Sequence, residues 1–298
     1  MTDARTATVR TAEPADLATV ASWLPAALGF DDDAPALLKL LWDSVPADLR
    51  LVADDGAGPI GVALGSIRAG VGSGHVDLIA VAPPDQGHGH GAALLGGIEA
   101  ALRAAGANAL LIGGNTPTFA WPGIDMRYTT AICLAESRGY QRVRDGLNMT
   151  VDLLRAPLDT AADEARLRGL GVHVRRLRSD EAEQFDPWVR RWGGTWHLEA
   201  ARAAAYPTPR IHVAVRDGDY VGFACHGVNR TAWFGPMGTD ESERGNGIGA
   251  VLLRRCLADM RDAGIRTGEI AWVGPYPFYA RMVGAELARS FWIYRKDV

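Results

Sequence analysis

Two short glycine-rich segments hold the clearest chemistry in the sequence. Gly87-His88-Gly89-His90-Gly91 and Gly245-Asn246-Gly247-Ile248-Gly249-Ala250 lie 158 residues apart. Each follows a stretch that reads as a strand and opens one that reads as a helix. The first turn of a helix leaves N–H groups without partners and carries partial positive charge, so it attracts anions. Glycines let the main chain wrap a phosphate with no Cβ in the way. The chemistry this pattern supports is phosphate or pyrophosphate binding through backbone amides. A single G-x-G-x-G is weak, but two at the same place in a repeat are a specific signal.

Other phosphate and metal motifs fail. A P-loop requires G-K-[ST], and neither of the two lysines, Lys39 and Lys296, stands in one. Read from Gly89 and Gly247, the dinucleotide pattern G-x-G-x-x-G meets Leu94 and Leu252 at its third glycine. His88 and His90 form H-x-H with no third ligand in view, so they read as side chains near the anion, and no metal is expected. Cys133, Cys225 and Cys256 are scattered and show no C-x-x-C spacing. That disfavours a zinc site or a disulfide framework and fits a reducing cytosol.

The elements that position the turns repeat as well. Leu94-Leu95 matches Leu252-Leu253, Ala105-Gly106 matches Ala263-Gly264, Gly61 matches Gly222, and Val9-Arg10 with Asp16 matches Val174-Arg175 with Glu181. Each copy predicts a strand (7–11; 173–177), a helical region from Asp16 or Glu181, and a hairpin (51–54 with 60–67; 212–215 with 220–228). A further strand, the glycine turn and an amphipathic helix follow, the second such helix spanning about 247–263. Each copy then has a strand (109–112; 269–273), another helical stretch and a terminal strand (147–153; 290–295). The expected class is α/β (α+β): two tandem domains, 1–154 and 172–298, each a mixed central sheet flanked by helices, joined by a polar linker at 155–171. Trp188, Trp192, Trp196 and His197 share one helix face if that segment is continuous, which Gly193-Gly194 opposes.

Composition agrees. A chain of 298 residues, 48% hydrophobic and 22% charged with a net charge of −4, suits a two-domain globular protein with no basic stripe for nucleic acid or anionic membrane. Met1–Arg10 lacks the apolar stretch of a signal peptide, and no run is long enough to cross a bilayer. The expectation is a soluble cytoplasmic protein.

Gln86-Gly87-His88-Gly89-His90-Gly91 and Arg244-Gly245-Asn246-Gly247-Ile248-Gly249 both satisfy [R/Q]-x-x-G-x-[G/A], and here the chain resembles the GNAT superfamily of acyl-CoA-dependent N-acyltransferases. The resemblance implies that these residues, with Ala250, hold the pyrophosphate of acetyl-CoA or another acyl-CoA. It also implies that Ile79-Ala80-Val81 and Met237-Gly238-Thr239 lie along the pantetheine and offer N–H groups to the thioester carbonyl. The family often places an acid for the leaving thiolate in a pattern like F-Y-x-x-x-G. Phe278-Tyr279 matches it, with one extra residue before Gly284, so Tyr279 is the expected acid. Glu269 is the expected base, with His226 and Glu199 as rivals. The first copy has Leu134 or Ala135 in place of Tyr279 and carries an insertion of about a dozen residues after Gly113. It is therefore expected to be non-catalytic and the second copy catalytic. The implied reaction moves an acetyl or short acyl group to a primary amine of a small molecule by direct attack, in a monomer or homodimer. The alternatives are a non-catalytic acyl-CoA sensor, or an enzyme like mycothiol synthase, which shares the two-domain arrangement and acts on a cysteinyl amino-sugar conjugate.

Overall fold

The computed structural model describes residues 7–116 and 118–298. Residues 1–6, part of the segment read above for a signal peptide, and Pro117 of the insertion lie outside the described residues. The chain forms two compact units, residues 1–146 with 290–298, and residues 147–289.

The first unit contains β1 (Thr8–Thr11), α1 (Asp16–Ala27), α2 (Ala34–Ser44), β2 (Arg50–Asp54), β3 (Pro59–Ile67), β4 (Ser73–Val81), α3 (His90–Ala104), β5 (Ala109–Ile112), β6 (Ile124–Asp125), α4 (Thr129–Ser137) and the start of β7 (Gln141–Asp152). The second contains the rest of β7, then α5 (Ala161–Gly169), β8 (Val172–Arg176), α6 (Ala182–Arg190), α7 (Trp196–Ala204), β9 (Ile211–Arg216), β10 (Asp219–His226), β11 (Trp233–Thr239), α8 (Ile248–Asp262), β12 (Thr267–Ile270), α9 (Tyr276–Val283) and the first residues of β13 (Glu286–Asp297). Strands β1 to β4 are antiparallel neighbours in sequence, and β4 pairs parallel with β5. The second unit repeats this order from β8 to β12.

The repeated residues now have physical reasons. Arg10 grips Asp16 through two bonds of 2.7 and 3.0 Å, and Arg175 grips Glu181 through two of 2.7 Å, so in each unit the first strand is locked to the start of its helical region. A Cβ on Gly61 would lie 2.8 Å from Leu94, and one on Gly222 would lie 3.2 Å from Leu252. Both glycines therefore let the amphipathic helix, α3 or α8, sit close on the hairpin. The apolar faces of those helices are fully enclosed: Leu94, Ile98 and Leu102 in α3, and Leu252, Cys256 and Leu257 in α8.

The division of the chain differs from the expected boundaries in two ways. Residues 155–171 are not a free linker, because α5 buries Leu167 in the second unit's core and pairs Glu164 with Arg255 at 2.6 Å. The terminal strands are exchanged. Residues 149–152 pair with β12 in the second unit, while 294–297 pair with β5 in the first. Composition cannot reveal such an exchange, since either segment presents the same kind of alternating strand. The helix carrying the tryptophans is broken, with Gly193 and Gly194 at φ of 70° and 58° between α6 and α7. The three tryptophans still gather, each about 6 Å from Phe223.

Candidate functional site

In the first unit β4 and β5 stay together from Ser73–Ala109 to Val76–Ile112, and the last bond between them runs from Gly113 N–H to Val76 O. Beyond it β4 continues to Val81 while the chain after Gly113 leaves on the insertion, and the gap becomes a cleft. The N–H of Ala82 donates to Ile60 O on the β3 side. By the two-residue alternation of a strand, the N–H groups of Ile79 and Val81 face the opposite side, into the cleft. At its end the Gln86 amide donates back to Val81 O at 3.0 Å and ties the turn to the strand.

The turn has the backbone that anion binding needs. Gly87 and Gly89 lie at φ of 80° and 88°, and a Cβ on either would meet nothing within 4 Å. Glycine is required there for its conformation, not for lack of room. The first bond of α3 is Ala93 N–H to Gly89 O, which leaves the N–H groups of His90, Gly91 and Ala92 directed outward.

A cavity of about 510 Å³ runs from this turn along β4 to the insertion. Trp121, Asp125, Arg127 and Tyr128 of the insertion line its far end. The Asp125 carboxylate is held by Arg127 at 2.9 and 2.7 Å, and that guanidinium lies 4.3 Å over the Phe30 ring. The Tyr128 hydroxyl donates to Asp31 at 2.8 Å and accepts from Phe30 N–H. These contacts pin the insertion to the α1–α2 connection.

Asp77 lies between the two ends. It sits where the β3–β4 register shifts, since Leu64 faces Leu78 and Gly65 faces Val76, so it is the extra residue of a bulge. Oδ1 accepts the Asn115 N–H at 3.1 Å, and Oδ2 is buried with no hydrogen-bond partner. Asp77 lines the cavity, and burial pushes its pKa up to about 8. Sequence reasoning passed over it. The only signal was an aspartate inside an otherwise apolar run, Val76-Asp77-Leu78-Ile79.

The second unit repeats the backbone and changes the surroundings. Strands β11 and β12 pair at Trp233–Glu269 and Phe234–Ile270, then part. Gly245 and Gly247 lie at φ of 87° and 84°, and Val251 N–H makes the first bond of α8. Here Arg166 of α5 donates to Asn246 O at 2.9 Å, and its guanidinium would lie 2.7 Å from a Cβ on Gly247. Trp192 packs on Gly238, and Met237, Thr239 and Phe278 stand at ordinary contact distance from Gly249. Gly235 stands 158 residues after Asp77, so the bulge position has no carboxylate. Arg244 pairs with Glu241 at 3.1 Å.

Tyr279 lies in the second unit's core cluster, its ring 5.2 Å from Phe278 and 6.2 Å from Phe234, and burial raises its pKa to about 12. Glu269 accepts from Asn148 at 2.5 Å and faces Arg289 at 3.9 Å. Among the rivals, Glu199 is buried, accepts from Asn229 at 2.6 Å and has a pKa raised to about 7 by burial. His226 lies 3.2 Å from Asp259, which Arg176 and His212 also hold. Ile79, Ala80, Val81, Gln86, Gly87, Gly89 and Gly91 all border the cavity, whereas His88 and His90 do not line it. The rings of those two histidines are 6.2 Å apart, and among the described residues no group of three or more His, Cys, Asp or Glu is gathered for a metal ion.

A splayed parallel strand pair closed by a glycine turn and a helix start is present twice in one chain. The profile of the acetyltransferase (GNAT) family matches residues 17–119 and 174–284, and the chain belongs to that family. It is an N-acetyltransferase by family, and the family uses acetyl-CoA as its co-substrate. No curated protein matches it at significant sequence similarity. Solved structures share the fold. One is a GCN5-related glucosamine N-acetyltransferase region of a fungal multi-domain GH3 β-N-acetylglucosaminidase, with TM-score 0.80 and 18% identity. That match covers 98% of this chain, which spans only 38% of the fungal chain's length. A GCN5-related N-acetyltransferase from Sphaerobacter thermophilus gives TM-score 0.68 at 20% identity, covering 98% of this chain and 96% of its own. A tandem GNAT protein from the clavulanic acid biosynthesis pathway gives 0.69 at 16%, covering 97% and 98%. Among the described residues no helix is long and apolar enough to cross a membrane.

Proposed function

We propose that the first unit carries the acetyl transfer, with Asp77 as the general base and a small-molecule primary amine as acceptor. This reverses the division expected from the Phe278-Tyr279 pattern. The observation that carries the reading is Asp77 itself, a residue that lines a cavity beginning at a phosphate-ready turn and whose Oδ2 is buried without a hydrogen-bond partner.

The residues fit an acyl-CoA. The outward N–H groups of His90, Gly91 and Ala92, with Gly87 and Gly89, would hold its pyrophosphate, and Ile79 and Val81 would offer N–H groups along the pantetheine. When bound, it supplies a thioester carbonyl open to attack by an amine and a thiolate as leaving group. Asp77 Oδ2 takes a proton from the amine as its nitrogen attacks. Fixed main-chain donors on β4 stabilise the negative charge on the carbonyl oxygen without reorganising. Departing sulfur needs a proton, and the protonated Asp77, at about 8, is well matched to a thiol with a pKa of about 8.5. Leu134, beside Gly91, puts no hydroxyl at the place where a leaving-group tyrosine is expected.

A thiol-release assay with acetyl-CoA and a panel of amines tests this. The panel begins with glucosamine, because a glucosamine N-acetyltransferase region is among the structures that share this fold. Asp77→Asn is expected to abolish most turnover while acetyl-CoA binding persists. Acetyl-CoA binding with no turnover on any amine would favour the sensor reading instead.

A further inference from the structure

Behind the Asp77 carboxyl lies a short network that the transfer reaction has not yet used. Asn115, 4% exposed, is the second residue after Gly113, and its main-chain N–H donates to Asp77 Oδ1 at 3.1 Å. Its side-chain amide donates to Ser66 Oγ at 3.2 Å, and Ser66 stands on β3 beside the bulge. The head of the insertion is fixed in turn by His75. Its Nδ1 lies 3.1 Å from Gly113 O and its Nε2 lies 3.0 Å from Ser73 Oγ. A carbonyl only accepts, so Nδ1 carries the proton and donates, and Nε2 accepts from the Ser73 hydroxyl.

We propose that Ser66 and Asn115 are positioning residues for the base: the Asn115 N–H holds Oδ1, the Asn115 side-chain amide holds Ser66 beside the bulge, and Oδ2 is left without a protein partner for the amine. The proposal rests on the reading of Asp77 as the base. A carboxylate with both oxygens free could rotate and share its charge among cavity donors. Held at Oδ1, it offers one acceptor in one direction, which is what proton transfer in a fixed geometry needs. The network also opposes part of the burial effect. The Asn115 N–H bond and the nearby Ser66 hydroxyl favour the ionised carboxyl, against desolvation that disfavours it. The other titratable groups around Asp77 are His75 on its own strand, kept neutral by burial, and Asp85, Asp125, Arg127 and Tyr128 along the cavity. None of these contributes a charge effect to the Asp77 shift. Its balance is therefore set by burial, Ser66 and Asn115.

The test is the pH profile of kcat for the full chain with acetyl-CoA and its best amine. Ser66→Ala should move the acidic midpoint upward by about half a unit, lowering the rate at pH 7 roughly threefold, with KM for acetyl-CoA within about twofold. Asn115→Ala keeps the main-chain N–H and should move the midpoint less, in the same direction. Ser66→Thr keeps the hydroxyl and should restore the parent midpoint, which a purely structural role for the side chain would not produce. A thermal melt of each variant separates these effects from misfolding. Unchanged midpoints in both alanine variants, where Asp77→Asn is inactive, would overturn the positioning role and spare the base. An Asp77→Asn enzyme with the parent rate and profile would overturn both.

Discussion

The two glycine turns have nearly the same main chain and different neighbours. Gly87 and Gly89 match Gly245 and Gly247 to within 10° in φ, and each pair opens a helix with outward N–H groups. At the first turn the space beyond those groups continues into a cavity. At the second, Arg166 bonds Asn246 O and leans over Gly247, while Trp192 lies on the strand at Gly238. The difference teaches that a short motif dictates backbone shape, and that distant residues decide whether the shape is a site. Arg166 lies 80 residues from the carbonyl it covers.

The largest effect expected on that comparison comes from the two candidate proton-transfer residues. Asp77→Asn should lower kcat by about 10²- to 10⁴-fold, the usual weight of a general base. Tyr279→Phe should leave kcat within about twofold, since that ring sits in the core. Steady-state kinetics showing the opposite order would move the reaction to the second unit. Next come the turns themselves. Gly89→Val forces a β-branched residue to φ 88° and should raise KM for acetyl-CoA about tenfold, from roughly 1–2 kcal/mol of backbone strain. Gly247→Val should leave that KM nearly unchanged and appear only as lowered thermal stability. Equal rises in KM would show both turns binding the same ligand.

The pH dependence sharpens the comparison further. Burial raises the Asp77 pKa to about 8, so log kcat should climb with pH up to about 8 and then level. The same shift acts on folding. The folded chain holds this proton more tightly than the unfolded one, so the stabilisation is complete below about pH 4 and is lost as pH rises towards 8. Asp77→Asn should remove that decline from denaturation curves taken across the range. The smallest effect concerns Arg166. Its side chain is about half exposed, so Arg166→Ala should lower the unfolding free energy from denaturant titration by no more than about 1 kcal/mol. Calorimetric titration should still give one acetyl-CoA per chain, and two would mean that the second cradle had opened.

Much of the fold was legible because the repeat marks it. Gly61 and Gly222 repeat since a helix must approach, and Arg10–Asp16 and Arg175–Glu181 repeat since a strand must be tied to a helix start. The turns were legible too, because positive φ selects glycine. What stayed hidden depends on tertiary placement. Asp77 has no motif of its own: a register shift in β4 and the insertion's Asn115 make it a buried acid with one free oxygen. The family pattern pointed to Tyr279, but its side chain is spent on packing against Phe234 and Phe278. Glu269 is the base expected from sequence, but which face of its strand it takes depends on the fold, and Asn148 and Arg289 are what it meets.

The exchanged terminal strands bear on how this gene product could be dissected. A fragment stopping at residue 154 would leave the β5 edge from Ala109 to Ile112 without Tyr294–Asp297, and with it a row of bare peptide groups ready to capture any passing strand. A fragment starting at residue 172 would lose the Met149–Asp152 ribbon beside β12 in the same way. Cut where the repeat begins and ends in sequence, each half would thus lose the ribbon that seals its sheet; the natural seams lie at residues 146–147 and 289–290 instead.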